Sequence, residues 1–262
     1  MAERVPASLG AQRPACRWAQ ATHIGKVRAE NQDACLADSR IGLFAVSDGM
    51  GGHQGGATAA RIVVECLPRE LEASLRSCRA STSGQIVQGL ALAVEAVNRR
   101  VFEASERDSK LEGMGATLVL ALWRAPRVYV AHVGDSRAYL LRDGALSQLT
   151  EDHSVATLLV KRGVIAAEEA RRHRSRHHLA RCIGMPGPAE PDVHALELRP
   201  GDRLLLCSDG LTGMVDDAQI AGVLTRQLDP DEACQALVRA ANDAGGHDNV
   251  SVVVVLWIDS RG

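Results

Sequence analysis

Aromatic side chains are scarce: two Phe, two Tyr and three Trp in 262 residues. A core built from this chain has to be aliphatic, drawn from Val, Leu, Ile and Ala. Lysine is nearly absent, with Lys26, Lys110 and Lys161 the three in a total of 30 Lys and Arg. That imbalance fits genome composition and carries no function. The charges almost cancel, at −2 overall, which excludes nucleic-acid binding driven by bulk charge. No stretch approaches the ~18 apolar residues of a membrane span. The first residues lack the apolar segment of a signal peptide. The expected protein is cytoplasmic, with no membrane or nucleic-acid partner. Its seven cysteines include no C-x-x-C pair and are odd in number, which argues against a zinc ribbon or disulfide framework.

Missing motifs remove whole enzyme classes. Lys26 follows Gly25 but precedes Val27, so a Walker A loop lacks its metal-binding hydroxyl. Neither H-E-x-x-H nor G-x-S-x-G occurs, which removes zincins and nucleophile-elbow hydrolases. No cysteine has an arginine six residues later, so a cysteine-phosphatase loop is absent. The cluster Gly49-Met50-Gly51-Gly52-His53-Gln54 imitates a dinucleotide fingerprint, but Gln54 stands in place of the third glycine and Asp48 precedes it. An acid there opposes an anion.

A length of 262 residues favours a single domain. Residues 1–15 have no period and are expected to be disordered, leaving 16–259 as the domain. Strands are expected at 17–25, 32–38 and 41–47, the last ending abruptly at Asp48-Gly49. A helix over 55–67 should stop at Pro68, because a proline lacks the N–H that the helix needs. Ile86, Leu90, Val94, Val97 and Val101 recur at spacings of three and four, predicting a helix over 83–107. Four strand-like runs from 117 to 150 read as an antiparallel meander. Strands return at 193–198 and 203–207. Helices follow near 215–226 and 231–243, the second opened by Asp229-Pro230-Asp231-Glu232. Val250–Val255 forms a last strand. Strand blocks alternating with helix pairs suggest α+β layers, two sheets covered by helices.

The aspartates carry the chemistry. Asp33 opens one strand, and Asp48 and Asp209 each close an apolar run and precede glycine. Asp135 lies between two strands, and Asp248 just precedes the last. One acid at a strand rim is a turn residue. Five in the same context would repel one another unless cations neutralise them. Oxygen ligands without thiolate or imidazole select Mg²⁺ or Mn²⁺. Four carboxylates at about −4 balance two divalent ions, and such a pair lowers the pKa of a shared water and clamps an in-line displacement at phosphorus. The glycines after Asp48 and Asp209 allow tight turns and the approach of a carbonyl to a metal.

The segments Gly25-Lys26-Val27-Arg28-Ala29-Glu30-Asn31-Gln32-Asp33, Ser47-Asp48-Gly49-Met50-Gly51-Gly52-His53, Val133-Gly134-Asp135-Ser136-Arg137, Leu149-Thr150-Glu151-Asp152-His153-Ser154, Ser208-Asp209-Gly210-Leu211 and His247-Asp248-Asn249-Val250-Ser251 occur in this order. Together they resemble the metal-dependent (type 2C, PPM) serine/threonine protein phosphatases in their compact bacterial form, over residues 17 to 258. The resemblance implies a four-layer α-β-β-α sandwich with two central antiparallel sheets and metals at one rim. It implies hydrolysis of phosphoserine and phosphothreonine by a hydroxide bridging two Mn²⁺ or Mg²⁺ ions. By the same resemblance Asp48 bridges the ions and Gly49 offers its carbonyl to the first. Asp209 and Asp248 hold the second, and Asp33 reaches the pair through water. Asp135 shares a third, weaker ion with Asp209, and Arg28 binds phosphate.

Met50 stands where eukaryotic members carry a histidine. His53 is then a candidate proton donor to the leaving serine, the alternative being a histidine merely hydrogen-bonded beside the site. The family places a variable flap near 154–182. Residues 161–181 of this chain hold seven Lys/Arg and two Glu, a local +5 that suits either a solvated face or a flap attracting phosphorylated segments. His173 and His177, four apart, could share a helix face, but a zinc site there lacks a further ligand type. Phosphoproteins are the implied substrates and a bacterial Ser/Thr kinase the implied opponent. Phosphatase action on an anti-sigma antagonist and a phosphoprotein-binding pseudophosphatase are the alternatives.

Overall fold

The computed structural model describes residues 15–51, 55–124, 126–170 and 173–258. The elements run β1 (Cys16–His23), β2 (Asp33–Asp38), β3 (Leu43–Met50), α1 (Gly55–Ser77), α2 (Ser83–Arg107), a 3-10 turn (Ser109–Leu111), β4 (Gly115–Ala116), β5 (Leu118–Arg124), β6 (Arg127–Val133), β7 (Arg137–Arg142), β8 (Ala145–Gln148), α3 (Val155–Lys161), α4 (Ala167–Ala170), β9 (Asp192–Glu197), β10 (Arg203–Cys207), α5 (Asp209–Thr212), α6 (Asp217–Arg226), α7 (Pro230–Asp243) and β11 (Val250–Trp257). Residues 1–14, most of the stretch expected to be disordered, lie outside the described residues, whereas the Ala15 carbonyl accepts from Ile258 N–H at 2.9 Å.

Two antiparallel sheets result. One has the order β1-β11-β10-β7-β8, the other β2-β3-β5-β6-β9 with β4 paired to β3. Alternation within single strands explains the layering. On β3, Leu43 and Ala45 pack toward α1 and α2, while Phe44 and Val46 face the second sheet. On β11, Val250, Val252 and Val254 pack with Leu237 and Ala241 of α7, while Val253, Val255 and Trp257 meet Phe44 and Val46 between the sheets. Strands buried on both faces read as unbroken apolar runs, and the small Val and Ala side chains let the sheets approach without aromatic filler. The outcome is the expected four-layer α-β-β-α sandwich.

Three expectations are corrected. Pro68 does not end the first helix, which continues to Ser77. A proline inside a helix costs about 3 kcal/mol. Leu67, Leu71 and Leu75, four apart and all buried, outweigh it at about 1.5–3 kcal/mol each. The four strands from 118 to 148 are no single meander, because β5 and β6 pair in one sheet while β7 and β8 belong to the other. The chain changes sheets through residues 134–136, with Gly134 at φ +107. Finally, β3 runs through Asp48 and Gly49 to Met50 instead of stopping before them. Gly49 sits in a strand, not a tight turn, and it must be glycine because a Cβ there would lie 2.0 Å from the Gly56 carbonyl oxygen. Gly210 likewise opens α5 pressed against Asn249, whose carbonyl oxygen would lie 1.9 Å from a Cβ.

Candidate active site

Both sheets deliver acids to one rim. Asp33 and Asp48 are direct partners across the β2–β3 ladder. Asp135 lies on the β6–β7 link, Asp209 opens α5 after β10, and Asp248 precedes β11. Hydroxyls and amides fix them. Ser208 Oγ donates to Asp33 Oδ2 at 2.8 Å and accepts from Ser251 N–H at 3.0 Å, tying one sheet to the other. Asp48 N–H donates to Thr117 Oγ1 at 2.9 Å, and Thr117 Oγ1 lies 2.6 Å from Ser136 Oγ, next to Asp135. Asn249 accepts from Gln32 N–H at 2.8 Å and donates to the carbonyls of Ile24 and Glu30, both at 2.9 Å. It thereby shapes the loop that carries Arg28. Arg28 Nη2 donates to Asp248 Oδ2 at 2.7 Å while its side chain stays 54% exposed.

The electrostatics show that these acids share one field. Burial pushes the Asp33 carboxyl up to about 7, against the Ser208 and Ser251 hydrogen bonds, and the charges of Asp209 and Asp248 add to the rise. Burial, then Asp209 and Asp152, push Asp135 up to about 7. Asp48 is held well above the usual carboxylate range by burial and by Asp33, Asp209, Asp135 and Asp248. Asp33 Oδ1 is buried with no hydrogen-bond partner. A crowded set of oxygen donors with a buried, unpartnered lone pair fits hard divalent cations, which neutralise the repulsion and occupy the free oxygens.

Beyond the rim, the chain over 154–182 is pinned at both ends. Val155 N–H donates to the His178 carbonyl at 2.8 Å, and Ile183 exchanges backbone bonds with Ala116 at 2.7 and 2.9 Å. His173 and His177 lie outside any helix, so they share no helix face. His177 instead reaches the rim, with Nδ1 3.6 Å from Asp209 Oδ2, and the Asp209 carboxylate beside it holds its pKa above the ordinary imidazole value. A cavity of about 730 Å³ opens between this segment and α5–α6, lined by Asp135, Asp152, Arg176, His177, Asp209 and Asp217 among others. Its walls carry both signs of charge.

The five aspartates and Arg28 therefore meet at one rim, as the sequence suggested, while His53 falls outside the described residues. Sequence reasoning gave no role to Thr117, Ser136, Ser208 and Ser251, and weighed His177 only as a zinc ligand beside His173. Ser208 alone left a signal, since it stands before Asp209 as Ser47 stands before Asp48. All seven cysteines are free. Burial pushes Cys35 and Cys207 up to about 12, so neither supplies a nucleophile at neutral pH.

Residues 20–242 match the family model for protein phosphatase 2C. The serine/threonine phosphatase stp of Listeria innocua is 35% identical over 237 residues, 89% of this chain and 93% of that protein. A structure of the catalytic domain of serine threonine protein phosphatase PstP in complex with two manganese ions superposes with a TM-score of 0.80 at 37% identity, covering 93% of this chain and 99% of that one. The PPM Ser-Thr phosphatase MsPP of Mycobacterium smegmatis, in complex with cacodylate, superposes at 0.78 with 38% identity, covering 97% and 100%. Acids that converge from two sheets onto one rim, as they must in a metal-dependent phosphatase, agree with what these similarities establish: the chain belongs to the protein phosphatase 2C family of serine/threonine phosphatases.

Proposed function

We propose that the rim hydrolyses phosphoserine and phosphothreonine in proteins with Mn²⁺ or Mg²⁺, and that the chain opposes a Ser/Thr kinase in the cytoplasm. The observation that carries this reading is the convergence of five aspartates on one rim, where Asp33 and Asp48 are direct register partners and the Asp48 carboxyl is raised by burial and then by the other four. Asp48 and the Gly49 carbonyl would hold one ion, and Asp48, Asp209 and Asp248 a second. Asp33 is bonded through Oδ2 to Ser208 and keeps Oδ1 buried without a partner; it would reach the ions through water. Asp135 and Asp209 would take a third, weaker ion. Two divalent ions there would supply a water of lowered pKa and positive charge for the phosphoryl oxygens.

The remaining work belongs to the chain's own side chains. Arg28 has one N–H committed to Asp248 and presents its exposed guanidinium to the phosphate dianion. His53 donates a proton to the departing serine or threonine oxygen, giving a free hydroxyl and inorganic phosphate. The 154–182 segment forms the outer wall of the substrate groove.

The test is hydrolysis of a phosphothreonine peptide by purified protein in chelator, in Mn²⁺ and in Mg²⁺, alongside Asp248→Ala. Turnover only with added metal, lost by ~100-fold or more in the variant, supports the reading. Full activity in chelator or in Asp248→Ala contradicts it.

A further inference from the structure

Four consecutive residues run alongside the β6–β7 link that carries Asp135, and each bonds to it or to the strand ends that flank it. Thr150 Oγ1 accepts from Ala138 N–H at 3.1 Å. The Glu151 carbonyl lies 2.8 Å from His132 Nε2. Asp152 accepts two bonds from Arg137, at 2.8 and 2.7 Å. His153 bonds twice to Gly134, its N–H donating to the Gly134 carbonyl at 2.9 Å and its Nδ1 accepting the Gly134 N–H at 3.2 Å. Residues 132, 134, 137 and 138 are thus held from one side. Thr117 holds Ser136 from the other, and a Cβ on Gly134 would lie 2.7 Å from Thr117 Cγ2. Asp135 alone is left to face the rim.

The two histidines are buried, at 1% and 4% exposure, with rings stacked 4.4 Å apart. With Asp192 they bring three ligand-type atoms within 4.8 Å of one another. Their hydrogen bonds decide against a cation. A carbonyl only accepts, so His132 carries its proton on Nε2. An amide only donates, so His153 Nδ1 is bare and its proton sits on Nε2, 3.4 Å from Asp192 Oδ2. An ion on His153 Nε2 would force the proton onto Nδ1, against the Gly134 N–H. Arg181, paired with Asp192 at 3.1 Å, adds positive charge beside the cluster. Burial, then His132 and Arg181, push the His153 pKa down to about 4, so the ring stays neutral and Nδ1 keeps its lone pair for Gly134.

We propose that His153 is the positioning residue of Asp135: its ring stacked on His132 and its Nε2 beside Asp192, it fixes both backbone groups of Gly134 and thereby aims the Asp135 carboxylate at the rim. The proposal rests on the reading of Asp135 as ligand of the weakest ion. It assigns the segment Thr150–His153, which carries none of the five rim aspartates, a role in metal occupancy.

Two amides at position 153 separate this role from packing. In His153→Asn the side-chain oxygen replaces Nδ1 and still accepts from Gly134. In His153→Gln the amide reaches the Nε2 position and leaves the Gly134 N–H without an acceptor. Manganese titration calorimetry and kcat/KM on a phosphothreonine peptide are compared for both variants, for Asp135→Asn and for Asp135→Asn/His153→Gln. His153→Asn should keep the weakest manganese step and lie within about threefold of wild type, whereas His153→Gln should lose that step and about 10–100-fold in kcat/KM. The two tighter steps should persist in both. The double variant should match Asp135→Asn, because His153 acts through Asp135. Multiplying losses in the double variant, loss of the tight steps in His153→Gln, or loss of the weak step in a folded His153→Asn each overturns the proposal. If His153→Gln fails to fold, the His153→Asn result decides. An Asp135→Asn variant that keeps its weakest ion and full turnover overturns the reading of Asp135 as well, whereas loss there with an unaffected His153→Gln overturns the His153 proposal alone.

Discussion

Asp33 and Asp48 face each other as a register pair on the neighbouring strands β2 and β3. Like charges directly opposite on a ladder destabilise it. The fold therefore tolerates a repelling pair that either protonation or bound metal relieves.

Removing one charge should separate stability from activity. Asp48→Asn should stabilise the metal-free protein by about 1–3 kcal/mol, a rise in Tm of ~2–9 °C for a chain of this size. The same variant should gain no stability from Mn²⁺ and lose turnover. Thermal melts with and without Mn²⁺ check it; a lower metal-free Tm would show that Asp48 contributes favourable contacts of its own.

Metal loading should depend on pH in a defined direction. Asp33 and Asp135 have pKa values raised to about 7, above the unfolded carboxylate value. Between about pH 4 and 7 the metal-free folded state then binds more protons than the unfolded chain, and the stability those protons confer is lost as pH rises through 7. Manganese must displace the same protons. The Mn²⁺ concentration for half-maximal activity should fall steeply from pH 6 to 7 and level off by pH 8. A pH-independent midpoint would contradict shared carboxylate sites.

Leaving-group chemistry should expose His53. An alkoxide from threonine needs a proton, whereas an aryl oxide does not. His53→Ala should lower kcat on a phosphothreonine peptide by ~10²-fold and on an aryl phosphate by less than about threefold. Equal losses on both substrates would assign His53 to structure.

The 154–182 segment should act on protein substrates selectively. Arg176 lines the groove, and its Nε lies 2.7 Å from His177 Nε2. Reversing Arg174 and Arg176 to glutamate should raise KM for a phosphoprotein and leave kcat on an aryl phosphate nearly unchanged. The wild-type KM should rise with salt over a screening length of about 8–10 Å, and the variant should lose that dependence. Equal effects on both substrates would indicate damage to the rim.

The rim was legible in the sequence because each acid sits at the end of an apolar run, a local pattern that survives folding. The α2 helix was legible because its buried residues repeat along one face. Pro68 misled because a local rule was outweighed by Leu67, Leu71 and Leu75 packing against another helix. The strands from 118 to 148 misled because alternation fixes which residues face inward, not which sheet a strand joins. His153 and Gly134 meet across 19 residues of sequence, and His177 and Asp209 across 32, contacts that no local pattern encodes.

Anomalous diffraction from manganese-soaked crystals tests the central claim most directly. Two strong peaks should appear at the rim, one beside Asp48 and Gly49, the other among Asp48, Asp209 and Asp248, with a weaker third near Asp135. No peak at Asp48, or the strongest peak among His132, His153 and Asp192, would contradict a carboxylate-held metal centre.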